Sequence, residues 1–151
     1  MIKHTFMVIS LTLASAGCVS SSGVARSADA EPGVDLIPPS FAGNFFTEIC
    51  LTTAPSFEGV GQAIAGETFV QNSGTGTYYH KFADLSIKVS DYGCSLVFKS
   101  DMSVEDTLSE LAKGVTKNAS NWGVTIPKNL DITSRPSPTG DGRYFRIGLP
   151  R

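Results

Sequence analysis

The residues able to do chemistry in this chain are few. The cysteines are Cys18, Cys50 and Cys94, and the histidines are His4 and His80. A cysteine nucleophile needs a base beside it, and past the N-terminal segment only His80 titrates unperturbed near neutral pH. Cys50 preceding His80 is an order that some cysteine hydrolases use, but no nucleophile signature flanks Cys50. Ser73 or Ser86 with His80 and Asp84 would supply the groups of a serine triad, yet the chain has no G-x-S-x-G elbow. In an extended segment His80 and Asp84 stand roughly 13 Å apart, so no catalytic assignment is made. One histidine beside two paired cysteines cannot furnish the usual ligands of zinc, so no metal site is expected. Gly59-Val60-Gly61 with Gly66 lacks both the preceding strand and the G-x-G-x-x-G spacing of a dinucleotide loop, so no cofactor is expected either.

The cysteines are better read as structure, and the N-terminus gives the reason. Lys3 supplies a short positive region, and Thr5 to Gly17 is uncharged and mostly apolar. That is the form of an export signal, too short for a membrane span of ~20 apolar residues. Two cleavage readings stay open. Ala16-Gly17-Cys18 resembles the end of a bacterial lipobox, with Ser15 where an aliphatic residue is usual, and makes Cys18 a lipidation site. Alternatively, an ordinary signal peptidase cuts at an A-x-A pattern, Ala14-Ser15-Ala16 or Ala28-Asp29-Ala30. Lipidation of Cys18, or cleavage after Ala30, leaves Cys50 and Cys94 as an even pair in an oxidising compartment. Their disulfide is expected to contribute roughly 3–4 kcal/mol through chain entropy.

The remaining sequence supplies the elements that would hold this pair. Residues 19–40, rich in Ser, Ala, Gly and Pro, read as a flexible tether, with Ser40 capping a first helix. Phe41, Phe45 and Ile49 recur at helical spacing, with Phe46 and Cys50 beside them, and a second short helix fits Ser56 to Ala65. The period then changes. Thr68 to Val70 and Tyr78 to Phe82 read as strands, and Leu85 to Lys99 reads as a hairpin turning at Ser90-Asp91-Tyr92-Gly93. Ser103 opens a helix over about 103–119, with Val104, Leu108, Leu111, Ala112 and Val115 at helical spacing. Trp122 to Ile126 reads as a short strand, residues 131–142 as a loop, and Tyr144 to Leu149 as the last strand. Segregated helices and neighbouring strands predict an α+β fold in which helices cover an antiparallel sheet. The organisation expected is a signal peptide over 1–18, a tether over 19–40, and a single disulfide-stapled domain over 41–151.

The chain has 151 residues, 41% of them hydrophobic, and a mean hydropathy of +0.04, which suits one domain with a real core. Its formal net charge of −2 gives no case for nucleic acid. The charge is unevenly placed. Residues 31–80 hold no Lys or Arg, whereas Lys128, Arg135, Arg143, Arg146 and Arg151 crowd the C-terminal stretch against Asp131 and Asp141. Such a dipole suits an anionic envelope surface or a partner protein.

Phe45-Phe46 leading to Cys50, then Thr53-Ala54-Pro55-Ser56-Phe57 and a second cysteine at Cys94, resembles small uncharacterised exported proteins and lipoproteins of proteobacteria. The resemblance spans about residues 45–98 and implies the compartment and the disulfide, without an activity. Ser73-Gly74-Thr75-Gly76-Thr77-Tyr78 resembles, with its tyrosine one place later, the Ser-Gly-x-x-Tyr loop of small periplasmic lysozyme inhibitors. The expectation is a non-enzymatic envelope protein that binds another envelope protein or a surface polymer, touching the membrane only through a lipid anchor. Its expected binding surface is Tyr78, Tyr79, His80 and Tyr92. The alternatives are a hydrolase acting on envelope material and an inhibitor of a cell-wall hydrolase.

Overall fold

A computed structural model describes residues 23–151. The lipidation site read at Cys18 and the signal peptide over 1–18 lie outside the described residues. Among the described residues, seven strands form one sheet in the spatial order β1-β2-β3-β4-β5-β7-β6. They are β1 (Ala25–Ser27), β2 (Phe69–Asn72), β3 (Thr77–His80), β4 (Leu85–Ser90), β5 (Gly93–Ser100), β6 (Asp131–Pro136) and β7 (Arg143–Pro150). Only β1 runs parallel to its neighbour; every other pair is antiparallel. The α+β class, the antiparallel arrangement and the hairpin over 85–99 are therefore as the alternation of Leu85, Ile87 and Val89 indicated.

Alternation decides which face is buried. Leu85 and Ile87 on β4, Leu96 and Phe98 on β5, and Phe145, Ile147 and Leu149 on β7 point into one core. Phe98 and Phe145 are cross-strand partners whose rings stack at 5.7 Å, an arrangement that adds about 0.5–1.5 kcal/mol beyond area burial. Two helices close this face: α1 (Pro39–Phe46), continued by a π-helical turn over Thr47–Leu51, and α3 (Val104–Trp122). They supply Ala42, Phe45, Phe46, Ile49, Leu111 and Val115. A one-turn helix, α2 (Val60–Ala63), lies between them in sequence.

The helices touch backbone to backbone. A Cβ built on Gly114 would stand 2.0 Å from the Ser40 carbonyl oxygen, and one on Gly43 would stand 2.5 Å from that of Leu111. Glycine at both positions is what permits the crossing. The Cys50–Cys94 disulfide then ties the end of the first helical segment to β5, with 5.7 Å between the Cα atoms and a separation of 44 residues. Both cysteines are buried.

Several local readings change. Residues 131–136, expected as loop, form β6, paired along its whole length with β7. All its residues are exposed, so no burial pattern marks it in the sequence. Trp122 ends α3, where Gly123 takes a left-handed φ of 65° as C-cap, and Val124 to Ile126 is irregular. The helix expected over 56–65 shrinks to α2. Ser40 lies inside the first turn of α1, and Pro38 precedes it as the cap. Within the stretch read as a tether, Ala25–Ser27 pairs with Val70–Asn72, and Asp35 bridges to Ala83. The folded unit therefore begins well before residue 41.

Candidate functional site

Among the described residues no helix covers the other face of the sheet, which assembles the side chains that alternate with the core positions. On β7 these are Tyr144, Arg146 and Gly148. The strand register sets Lys99, Val97 and Ser95 of β5 beside them on one side, and Arg135, Thr133 and Asp131 of β6 on the other. Ser86 and Lys88 of β4 and Tyr79 of β3 extend the same face.

The polar groups on this face fix one another. The Arg146 Nη1 donates to Asp131 Oδ2 at 2.8 Å. Gly148 leaves the space that the Arg146 guanidinium occupies, because a Cβ there would sit 3.1 Å from Nη2. The Arg135 guanidinium lies 5.7 Å above the Tyr144 ring, a cation–π contact. The Tyr144 hydroxyl donates to Asp84 Oδ2 at 3.0 Å. Burial pushes the Asp84 carboxyl above its ordinary range, against the opposing pull of the Tyr144 hydrogen bond and the Lys99 charge. Tyr144 is pushed up in turn, first by burial and then by its bond to Asp84. At the β6–β7 turn, Asp141 accepts from Lys99 Nζ at 2.6 Å, from Thr139 and from Ser137. Those bonds, Lys99 first, hold the Asp141 carboxyl far below the usual carboxylate range.

Two adjoining concavities follow. One, of about 430 Å³, is lined by Val97, Thr133, Arg135, Tyr144 and Arg146. The other, of about 380 Å³, is lined by Lys88, Tyr92, Ser95, Asp131 and Arg146 among others. Arg146 is common to both. The surface is open and carries positive side chains, hydroxyls and tyrosine rings. That combination suits an extended ligand with acidic and hydroxyl groups better than an enclosed small molecule, which favours a deep and mostly apolar pocket.

Of the expected binding residues, the fold brings Tyr79 and Tyr92 to this face and turns Tyr78 and His80 to the other. Tyr78 packs against the core. The His80 ring stands edge-on to Phe69 at 5.2 Å and to Phe82 at 6.2 Å. Its Nδ1 accepts the backbone N–H groups of Ala83 at 2.9 Å and of Phe82 at 3.3 Å. That nitrogen therefore carries no proton, and burial lowers the His80 pKa despite the nearby Glu67 charge. Among the described residues, no Ser, Cys, Asp or Glu side chain is hydrogen-bonded to His80. Asp84 faces the opposite side of the sheet, with Tyr144. The Ser73 to Thr77 loop is a tight turn in which Asn72 Oδ1 accepts the amides of Gly74 and Thr75.

Sequence reasoning missed Tyr144, Val97, Thr133 and Lys88 as site residues. The signal for Tyr144 was present in its alternation, with Arg146, against Phe145 and Ile147, and that for Val97 and Lys88 in the alternation of the central hairpin; Thr133, on a strand with no buried position, carried none. Arg135, Arg146 and Asp131 were visible as charge, although the strand that carries two of them was not. No protein-family model, curated protein or solved structure matches the chain, so its function is argued from this face alone.

Proposed function

We propose that this chain is an exported, non-enzymatic binding module of the bacterial envelope, lipid-anchored at Cys18 or free in the periplasm. Its ligand is an anionic envelope polymer, held on the outer sheet face. The observation that carries the reading is that open face. It sets the Lys88 and Arg135 cations, the Arg146–Asp131 pair, the Thr133 and Ser95 hydroxyls and the Tyr79 and Tyr144 rings along several neighbouring strands. Cations and hydroxyl donors spaced by a flat sheet match a repeating polymer, whose affinity then accumulates over many weak contacts. The buried disulfide supports an oxidising compartment. The orientation of His80, with its acceptor nitrogen taken by backbone amides, favours binding over hydrolysis.

The test is incubation of the protein with purified, insoluble cell-wall polymer, followed by sedimentation. The protein should pellet with the polymer, release with rising salt, and remain in the supernatant as Lys88→Ala/Arg146→Ala. Soluble wall fragments appearing with time would establish the hydrolase reading instead. Wild-type protein that stays in the supernatant at low salt would overturn the proposal.

A further inference from the structure

Among the described residues the sheet ends at β6, whose outer edge pairs with no other strand. Natural edge strands are commonly shielded by charged side chains, Pro, bulges, covering loops or very short length; β6 carries Asp131, Arg135 and a terminal Pro136, but no bulge interrupts its register. β6 has six residues, all exposed, in unbroken register with β7. The phase of its hydrogen bonds follows from the Ser137 amide, which donates to the Gly142 carbonyl directly opposite. In an antiparallel pair such bonding residues alternate, so Asp131, Thr133 and Arg135 bond toward β7. The N–H and C=O groups of Ile132 and Ser134 point away from the sheet, and among the described residues they have no hydrogen-bond partner.

We infer that this edge is a homodimerisation site, where β6 of a second copy adds antiparallel to the first about a two-fold axis through Thr133. The charge pattern selects this partner and this register. Asp131 and Arg135 flank Thr133 by two residues on either side, and their side chains share the outer face. With Thr133 opposite Thr133 of the partner subunit, each Asp131 stands opposite an Arg135, and each Ile132 opposite a Ser134. The outward amides and carbonyls of Ile132 and Ser134 then bond reciprocally. Sliding the copies by two residues in either direction keeps backbone bonds but places Thr133 opposite a charged residue and leaves both charge pairs unmade. The Asp131 carboxylate has lone pairs for Arg146 and for the incoming Arg135 together. The half-exposed Ile132 gains cover from the second copy. The product is an isologous dimer with one continuous sheet and two outer faces side by side. A strand of this length buries less than a standard interface, so the dimer is a weak one, forming in the micromolar range or above.

Non-bonded residues facing each other in an antiparallel pair have Cα atoms about 4.5 Å apart, within disulfide reach. Thr133→Cys in the full chain should therefore give a covalent dimer on a non-reducing gel under mild oxidation. Lys117→Cys, on the exposed face of α3, should not. Adding Asp131→Arg to Thr133→Cys should lower the yield about tenfold, as should adding Arg135→Asp. Mixing those two variants should restore it, because the mixed pair has opposite charges at both positions. Equal yields from Thr133→Cys and Lys117→Cys would overturn the inference. So would a cross-link that the charge reversals leave unchanged, or one that mixing fails to restore. No ligand enters this experiment, so its outcome is independent of polymer binding.

Discussion

Gly114→Ala pits two known effects against each other. Alanine in the middle of a 19-residue helix is favoured over glycine by about 1 kcal/mol. Helix propensity alone therefore predicts a more stable protein. The crossing of α1 and α3 predicts the reverse. The new methyl group would stand 2.0 Å from the Ser40 carbonyl oxygen and 2.8 Å from the Ser40 carbonyl carbon, and both are backbone atoms with no rotamer to escape into. Relief requires the helices to separate by roughly 1 Å, which loosens interior contacts that are close-packed in the native state. The Thr47 hydroxyl, which donates to the carbonyl of Gly43 and lies 3.4 Å from that of Val115, would lose the second partner. Overpacking of this kind costs about 1–3 kcal/mol, and a clash between two backbones belongs at the upper end. The net expectation is a loss of about 1–2 kcal/mol. Urea unfolding of the oxidised protein would read it as a lower midpoint with an unchanged slope. Ser109→Ala, on the exposed face of the same helix, reports propensity without the clash and should be neutral or slightly stabilising. Gly43→Ala, 2.5 Å from the Leu111 oxygen, should also destabilise. The double variant should lose less than the sum, since one separation of the helices relieves both contacts. A Gly114→Ala protein as stable as the wild type would refute the argument and the crossing it rests on.

Removing the disulfide as Cys50→Ala/Cys94→Ala should cost roughly 3–4 kcal/mol, measured as the loss in unfolding free energy, because the bond closes a long loop. His80→Ala should cost about 1–2 kcal/mol, since it removes an acceptor for two backbone amides and a ring packed on Phe69. The pH dependence has a definite sign. The folded His80 pKa lies below its ordinary 6.5, so the unfolded chain binds the proton first. The His80 contribution is present above about pH 6.5 and is lost as pH falls toward the folded pKa. Stability measured across that window should rise with pH in the wild type and flatten in His80→Ala, and an NMR titration giving His80 a pKa above 6.5 would contradict the geometry.

Local pattern was enough to specify much of this molecule. Alternation at Leu85, Ile87 and Val89 followed by turn residues predicted the central hairpin, because a half-buried strand repeats every two residues whatever surrounds it. The Val104, Leu108, Leu111 and Val115 spacing with Ser103 ahead of it predicted α3 for the equivalent reason at helical period; Ser103 does accept the Asp106 amide. The even pairing of Cys50 with Cys94 followed from cysteine arithmetic. What failed were elements whose stability comes from a neighbour. Asp131–Pro136 has no buried position, so nothing in its side chains distinguishes strand from loop; backbone bonds to Arg143–Pro150 make it a strand. Ala25–Ser27 joins the sheet on the same terms. The candidate site depended on this most of all. Sequence grouped Tyr78, Tyr79, His80 and Tyr92 because they are polar-edged aromatics in one region of chain. The pleat sends Tyr78 and His80 to the core side and Tyr79 to the open side, while residues 97, 135, 144 and 146, distant in sequence, meet on that open side through strand register. Composition and period determined the class of fold and the residues fit for its core. Only the tertiary pairing of strands decided which polar residues share a face, because register is a relation between segments and neither segment encodes it alone.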